Sequence, residues 1–318
     1  MTSELIKLEA RRIQRTGKST LVVSLPRKWV NRVGLRKGDL VWISEREDGS
    51  LEIRPKLSED TDKSVELDLT KSENWKNDLL ACYLSGFSRI RVVSRKRIPP
   101  EIREEIKGIS EKLIGLEIVE EDSNSVLMHD LLDLSELPPK KALKRAYVIA
   151  TSMNEDSITS LEEGDEKLAK DVIKRDDRVD RLYFLVVRQL RKAITDSSFS
   201  SKVGITPLEC LDFRVVAEHV ERIGDYSEGL ARLSIKYGKF PSEVISVGKA
   251  TVEIHQEAMN GFLKRSYSKA ERARQKYTEI MSKIKEIDLR EMSVREAVTL
   301  ISMIGETGKD IADIVTPW

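Results

Sequence analysis

The sequence predicts a three-part chain: a β-rich N-terminal module, a small α/β domain, and an all-α array of two three-helix bundles. Three observations predict it. Short β-branched runs separated by Gly and Pro fill residues 1–56, strand-like and helix-like stretches alternate over residues 64–135, and from Pro138 onward the apolar period is 3.6 rather than 2. At 318 residues, 40% hydrophobic and 34% charged, the chain has enough apolar side chains for several cores and enough charge for a water-facing surface.

In the first part, Leu21 to Leu25 is apolar and β-branched, and Pro26 stops it. Gly34 and Lys37-Gly38-Asp39 mark turns before the run Leu40 to Ile43. Asp48-Gly49 then closes a hairpin onto Leu51-Glu52-Ile53, because glycine tolerates the positive φ of such turns. Trp29 and Trp42 are expected to fill this small core. A polar linker follows from Lys56 to Ser64.

The second part, residues 64–135, reads in order as strand (Val65 to Leu69), helix (Trp75 to Ser85), strand (Arg89 to Val93), helix (Pro100 to about Leu113) and two strands around Leu116 to Val119 and Val126 to Leu132. That βαβαββ order predicts a small sheet with both helices on one face. No motif assigns this part a ligand.

Pro138-Pro139 opens the third part, where proline suits a first helical turn. Helices are expected at about 138–164, 166–195, 207–236, 242–267, 269–288 and 292–315, with breaks at Gly164-Asp165, at 197–204, at Gly238 with Pro241, and near Asp288. Three helices followed by three more suggest an internal duplication, with repeats at 138–238 and 241–318.

Net charge is +1, but residues 1–56 hold 13 Lys and Arg against seven Asp and Glu. That local excess is what a nucleic-acid footprint needs. Met1 to Glu9 carries two acids and no apolar run follows, so no leader is expected. The longest apolar runs, such as Leu182 to Val187, are too short to insert in a membrane. Cys82 and Cys210 are expected as free thiols, which fits a cytoplasmic protein.

Within 207–236, Glu218, Glu221, Asp225 and Glu228 step by 3, 4 and 3 and share one helix face, while Val216, Val220, Ile223 and Leu230 form the apolar stripe. Like charges one turn apart repel, so the stripe is unfavourable without something positive against it. The preceding helix offers Asp176 and Asp180 one turn apart, with Asp177 beside them. If the two helices pack antiparallel, these carboxylates converge in a groove, and their hard oxygens suit Mg²⁺, Mn²⁺ or iron, with Zn²⁺ also possible. The alternative is a solvated acidic face paired with Arg214, Arg222 or Arg178. His219 points about 100° away from Glu218 and reads as structural, and His129 and His255 join no constellation.

The run Glu218-His219-Val220-Glu221-Arg222-Ile223-Gly224-Asp225 resembles the signature of the PhoU family of phosphate-uptake regulators. The resemblance covers about residues 138–318. It implies duplicated three-helix bundles with (Glu/Asp)-x-x-x-Asp motifs that bind metal clusters, matched here by Glu221 with Asp225 and by Asp176 with Asp180. In the second repeat Gly305 to Asp310 keeps the spacing through Glu306 and Asp310, but the partner helix around Glu271 to Lys285 lacks an Asp-x-x-x-Asp. A single metal site, on the first repeat, is therefore expected.

Thr16-Gly17-Lys18, the strand ending at Leu25-Pro26, the short helix to Gly34, Lys37-Gly38-Asp39 and the last hairpin resemble the AbrB/SpoVT swapped-hairpin DNA-binding domain. That resemblance implies a homodimer with interleaved hairpins and a DNA-facing set comprising Arg11, Arg12, Arg15 and Lys18, with Arg27, Lys28 and Arg32 near the short helix. The chain departs from the family by a longer run between Gly17 and Pro26 and by Asn31 where a basic residue is common.

Taken together, the charge pattern and the two resemblances imply a regulator of phosphate metabolism that binds DNA as a dimer and is not an enzyme. Gly17-Lys18-Ser19 lacks the earlier glycine of a phosphate-binding loop and precedes a strand, and no Gly-x-Ser-x-Gly or His-Glu-x-x-His occurs. The alternative is an interaction protein that docks on a phosphate-transporter ATPase or a phosphate-sensing kinase without touching DNA.

Overall fold

The computed structural model describes residues 9–45, 49–55 and 63–317. The chain divides into two compact units, residues 1–61 and 62–318.

The first unit contains two separate hairpins and a short helix. β1 (Gln14–Thr16) pairs antiparallel with β2 (Thr20–Val22), turning at Gly17 with φ 71°. α1 (Arg27–Val33) follows Pro26 and ends at Gly34 with φ 75°. β3 (Trp42–Glu45) pairs with β4 (Leu51–Arg54) in the register Ile43↔Ile53. β2 stops at Val22, short of the expected Leu25. No described residue of this unit is buried: Trp29 is half-buried and Trp42 is exposed. Among the described residues the expected core around these tryptophans is absent, because two-stranded ribbons have no second layer to cover them.

The second unit opens with the predicted βαβαββ order: β5 (Ser64–Asp68), α2 (Trp75–Leu84), β6 (Arg89–Val93), α3 (Pro100–Lys112), β7 (Leu116–Glu121) and β8 (Ser125–Asp130). The sheet runs β5-β6-β8-β7, with β5 parallel to β6 and the other pairs antiparallel. Ile90 faces Met128 and Val92 faces Val126 across the ladder, and these four are buried against Leu79 and Tyr83 of α2 and Ile106 of α3. Both helices therefore cover one face.

The helical array comprises α4 (Pro139–Glu163), α5 (Glu166–Thr195), α6 (Ser197–Val203), α7 (Pro207–Tyr237), α8 (Ser242–Lys264), α9 (Tyr267–Ile284) and α10 (Met292–Asp313). α6 is the one addition to the expected helices. Asp196 caps it through Ser198 N and Phe199 N, and Gly204 ends it with φ 64°. α4, α5 and α7 form one bundle and α8, α9 and α10 the other, joined by α4 on α8 and α7 on α10. Among the described residues no helix is long and apolar enough to cross a membrane.

Caps set the helix starts. Gly164 ends α4 in the left-handed region, and Asp165 accepts from Lys167 N and Leu168 N to start α5. Thr206 and Glu209 form a capping box with Pro207 at the first position of α7. The same Glu209 carboxylate accepts from Lys140 Nζ at 3.1 Å and Arg265 at 2.7 Å, which fixes α7 in rotation against its neighbours.

Inside the array, His255 joins a polar network despite its isolation in sequence. It is fully buried, its Nδ1 lies 3.1 Å from the Tyr147 hydroxyl, and Asn154 Nδ2 donates to its Nε2 at 3.1 Å. Asn154 Nδ2 also reaches Thr251 Oγ1 at 3.4 Å. An accepting Nε2 puts the ring proton on Nδ1, facing the tyrosine. Burial holds this imidazole neutral, with its pKa pushed down to about 3.

Candidate metal centre and nucleic-acid interface

α5 and α7 run antiparallel, so that Asp176 meets Gly224 while Tyr183 meets Arg214 further along. The meeting point is a glycine for a steric reason. A Cβ at position 224 would stand 3.2 Å from Asp176 Oδ1 and 3.5 Å from Val179. Gly224 thereby lets α5 approach closely and leaves room for the Asp176 carboxylate.

Asp176, Asp180 and Asp225 converge there, each offering an oxygen within 4.8 Å of the others. Among the described residues this is the one such group of three or more metal-ligating side chains. Glu221 stands next to it, one turn from Asp225, outside that separation. Asp176 Oδ1 is buried and has no hydrogen-bond partner. No ion pair among the described residues engages Asp176, Asp180, Glu221 or Asp225.

Crowding shows in the acidities. Burial, then Asp180 and Asp225, pushes Asp176 up to about 7. Burial, then Asp225 and Asp180, pushes Glu221 up to about 7. Asp180 and Asp225 are raised by burial first, then by Asp225 and by Glu228 respectively. A group of acids that holds protons this tightly is short of positive charge.

The remaining acids of the stripe are matched by cations. Glu218 bonds Arg214 at 3.2 Å and Arg222 at 2.7 Å, and Glu228 bonds Arg232 at 2.6 Å. Asp177 takes Lys112 at 2.8 Å. The two readings of the stripe thus divide by residue: Glu218, Glu228 and Asp177 are paired, while Asp176, Asp180, Glu221 and Asp225 face one another. Lys112 was invisible to spacing arguments because it comes from α3, 64 positions before Asp176.

In the second repeat, Glu306 is exposed and Asp310 lies 3.5 Å from Lys309 Nζ. The glycines of that run serve packing: a Cβ at Gly308 would meet Ile254 at 2.9 Å and the His255 backbone N at 3.0 Å. His219 is buried, with Nδ1 unpartnered; burial lowers its pKa, and the charge of Asp310 opposes that. Among the described residues neither Glu306 nor Asp310 belongs to a group of three or more metal-ligating side chains.

In the N-terminal unit, Arg11 and Arg12 precede β1, Arg15 lies on β1, Lys18 in its turn, and Arg27, Lys28 and Arg32 on α1. All seven are exposed, and Arg11 pairs with Glu9. The same unit exposes Ile13, Leu21, Val23, Leu40, Ile43 and Leu51, each at least half open to solvent.

Comparison with known proteins matches residues 143–234 to the PhoU domain family and residues 14–61 to the family described as antidote-toxin recognition MazE, bacterial antitoxin. No curated protein matches the chain. Among solved structures, PhoU from Pseudomonas aeruginosa is 18% identical, with 56% of this chain and 93% of that one covered at a TM-score of 0.46. The phosphate transport system regulatory protein PhoU from Streptococcus pneumoniae is 14% identical, with 57% and 93% covered at 0.47. The chain carries a PhoU domain in its helical array and, ahead of it, a MazE/AbrB-like domain.

Proposed function

We propose that the chain is a dimeric, DNA-binding transcriptional regulator of phosphate homeostasis, working in the cytoplasm, whose helical array receives the signal. The observation that carries the DNA arm is the N-terminal unit itself. It combines an excess of positive charge, seven exposed basic side chains, and apolar side chains that a single chain leaves uncovered. A second copy covers the apolar faces and doubles the basic surface.

Asp176, Asp180 and Asp225, with Glu221 beside them, fit a divalent or ferric ion. The buried, unpartnered Asp176 Oδ1, the space left by Gly224 and the all-oxygen donor set favour Mg²⁺, Mn²⁺ or iron over Zn²⁺. A bound ion supplies positive charge where four acids meet; the chain's part is to hold α5 and α7 at that spacing.

Gel-shift and footprinting on the chain's own upstream region test the DNA arm. Binding should weaken steeply with salt, and Arg11→Glu, Arg12→Glu and Arg15→Glu together should reduce both affinity and salt slope. Absence of any salt-sensitive binding sinks it and favours docking on a transporter ATPase or sensor kinase. Elemental analysis of the dialysed parent against Glu221→Ala, Asp225→Ala tests the metal: equal, near-zero content returns these acids to a bare surface.

A further inference from the structure

Both helices of the α/β region lie on one face of its sheet, on the side of Leu67, Ile90, Val92 and Met128. Strand alternation sends Ser64, Glu66, Arg89, Arg91 and Leu127 to the other face. The register sets that face out in rows: Ser64 beside Arg89 beside His129, and Glu66 beside Arg91 beside Leu127. At its β5 end, Ser64, Val65, Glu66, Arg89, Arg91 and Leu127 line an open cleft of about 260 Å³.

Two guanidinium groups from one strand line this cleft. Arg89 and Arg91 are two positions apart on β6, so they rise from the same face about 6–7 Å apart. The Arg91 fork is held in place. Its Nη1 donates to Ser125 Oγ at 3.2 Å, Ser125 Oγ donates in turn to Asp122 Oδ2 at 2.9 Å, and Arg91 Nη2 donates to Glu120 Oε2 at 3.3 Å. The Glu120 side chain is 68% exposed, and an ion pair that open to water is weak and exchangeable. Arg91 therefore keeps its position through Ser125 and is able to trade Glu120 for another oxyanion. The lining carries two positive charges and one negative, Glu66, a balance that favours one anionic head over several. Leu127 adds an apolar wall, and Ser64 and Glu66 offer oxygens that accept from hydroxyl groups.

The geometry points to a binding site for a small organic anion, with one phosphate or carboxylate head on Arg89 and Arg91 and a hydroxyl-bearing body against Ser64, Glu66 and Leu127. A planar guanidinium fork suits either head, because each presents two oxygens at matching spacing. The volume lies just below the roughly 300–1,000 Å³ of pockets for drug-sized ligands, which suits a small metabolite. Such a ligand gives the α/β region a sensing role carried by residues other than the basic side chains of the N-terminal unit.

Titration calorimetry of the full chain with glycerol 3-phosphate, glycerate, inorganic phosphate and glycerol tests this. Glycerol 3-phosphate or glycerate should bind, and the tighter of the two tells a phosphate head from a carboxylate head. Glycerol, which has no head, and inorganic phosphate, which has no body, should each bind about tenfold more weakly or worse. Arg91→Met and Arg89→Met should each weaken binding about tenfold or more. Glu120→Gln, which relieves Arg91 of its competitor, should tighten binding about two- to fivefold, a direction that a damaged fold does not produce. The chain carrying Arg11→Glu, Arg12→Glu and Arg15→Glu should bind as the parent does. Binding that survives both arginine variants, or that is lost in the triple variant, puts the anion elsewhere and overturns the site. No binding of either organic anion at millimolar concentration overturns it too, and inorganic phosphate binding as tightly as both would overturn the organic body.

Discussion

The N-terminal unit and the helical array solve the same problem differently. The array buries one continuous apolar cluster running from Leu134 to Val315, whereas no described residue of 9–55 is buried. Long helices present a full apolar stripe to each other within one chain. Three- and four-residue strands cannot, and the β3–β4 ribbon puts Ile43, Leu51 and Ile53 on one face with Ile43 and Leu51 exposed. In the proposed dimer the second copy serves the described residues of 9–55, which have no core of their own, while the array already has one.

Four tests break or sharpen that contrast. The largest effect should come from Ile43→Asp with Leu51→Asp. Each side chain that a partner covers contributes about 1.5–3 kcal/mol, and a two-fold interface counts every loss twice. The dimer should weaken by at least about a hundredfold in analytical ultracentrifugation, with the helical signal in circular dichroism retained. A chain that sediments unchanged would remove the requirement for a partner.

Next is Asp130→Ala, which strands the buried Arg188 guanidinium. Arg188 Nε and Nη1 already lack partners, so little can compensate. The second unit should lose roughly 3–5 kcal/mol in denaturant unfolding, and Arg188→Met with Asp130→Leu should recover much of it. Third, Gly308→Ala forces a methyl against His255 backbone at 3.0 Å and should cost about 1–3 kcal/mol. A neutral result there would mean α10 slides on α8 more easily than the packing implies.

The smallest effect is a pH dependence. Asp176 and Glu221 are raised to about 7, so the folded chain keeps protons that the unfolded chain releases above its ordinary carboxylate pKa. Their stabilisation is complete below about pH 4 and is lost as pH rises to about 7. His255 acts oppositely: its stability is present above about pH 6.5 and is lost as pH falls toward 3. Asp176→Asn with Glu221→Gln should therefore gain roughly 1 kcal/mol over the parent at pH 8, after discounting for exposure, and match it at about pH 4. Urea unfolding at the two pH values reads the difference.

Much of the architecture was legible from residues. Pro, Gly and Asp at the helix ends placed the breaks of the array, because caps are local chemistry read within four positions. The alternation of residues 64–135 gave the strand and helix order for the same reason. Asp176 with Asp180 and Glu221 with Asp225 were legible as a pair of helix-face spacings; the antiparallel helices gather Asp176, Asp180 and Asp225 into one cluster and leave Glu221 at its side. α6 was missed because seven residues carry too little periodicity, and its capping aspartate looked like loop composition.

Sequence alone determined where the elements begin and end, which face of each helix is apolar, and which residues are acidic at one-turn spacing. These depend on propensities and periods that act over a few residues. Tertiary structure decided which acids keep a counter-charge. Glu218 and Glu228 find arginines one turn away, Asp177 finds Lys112 from another region, and the acids beside Gly224 crowd one another. It also decided that His255, with no neighbour of note along the chain, sits between Tyr147 and Asn154. Electrostatic and hydrogen-bond partners are chosen by distance in space, and the fold brings together residues separated by dozens of positions.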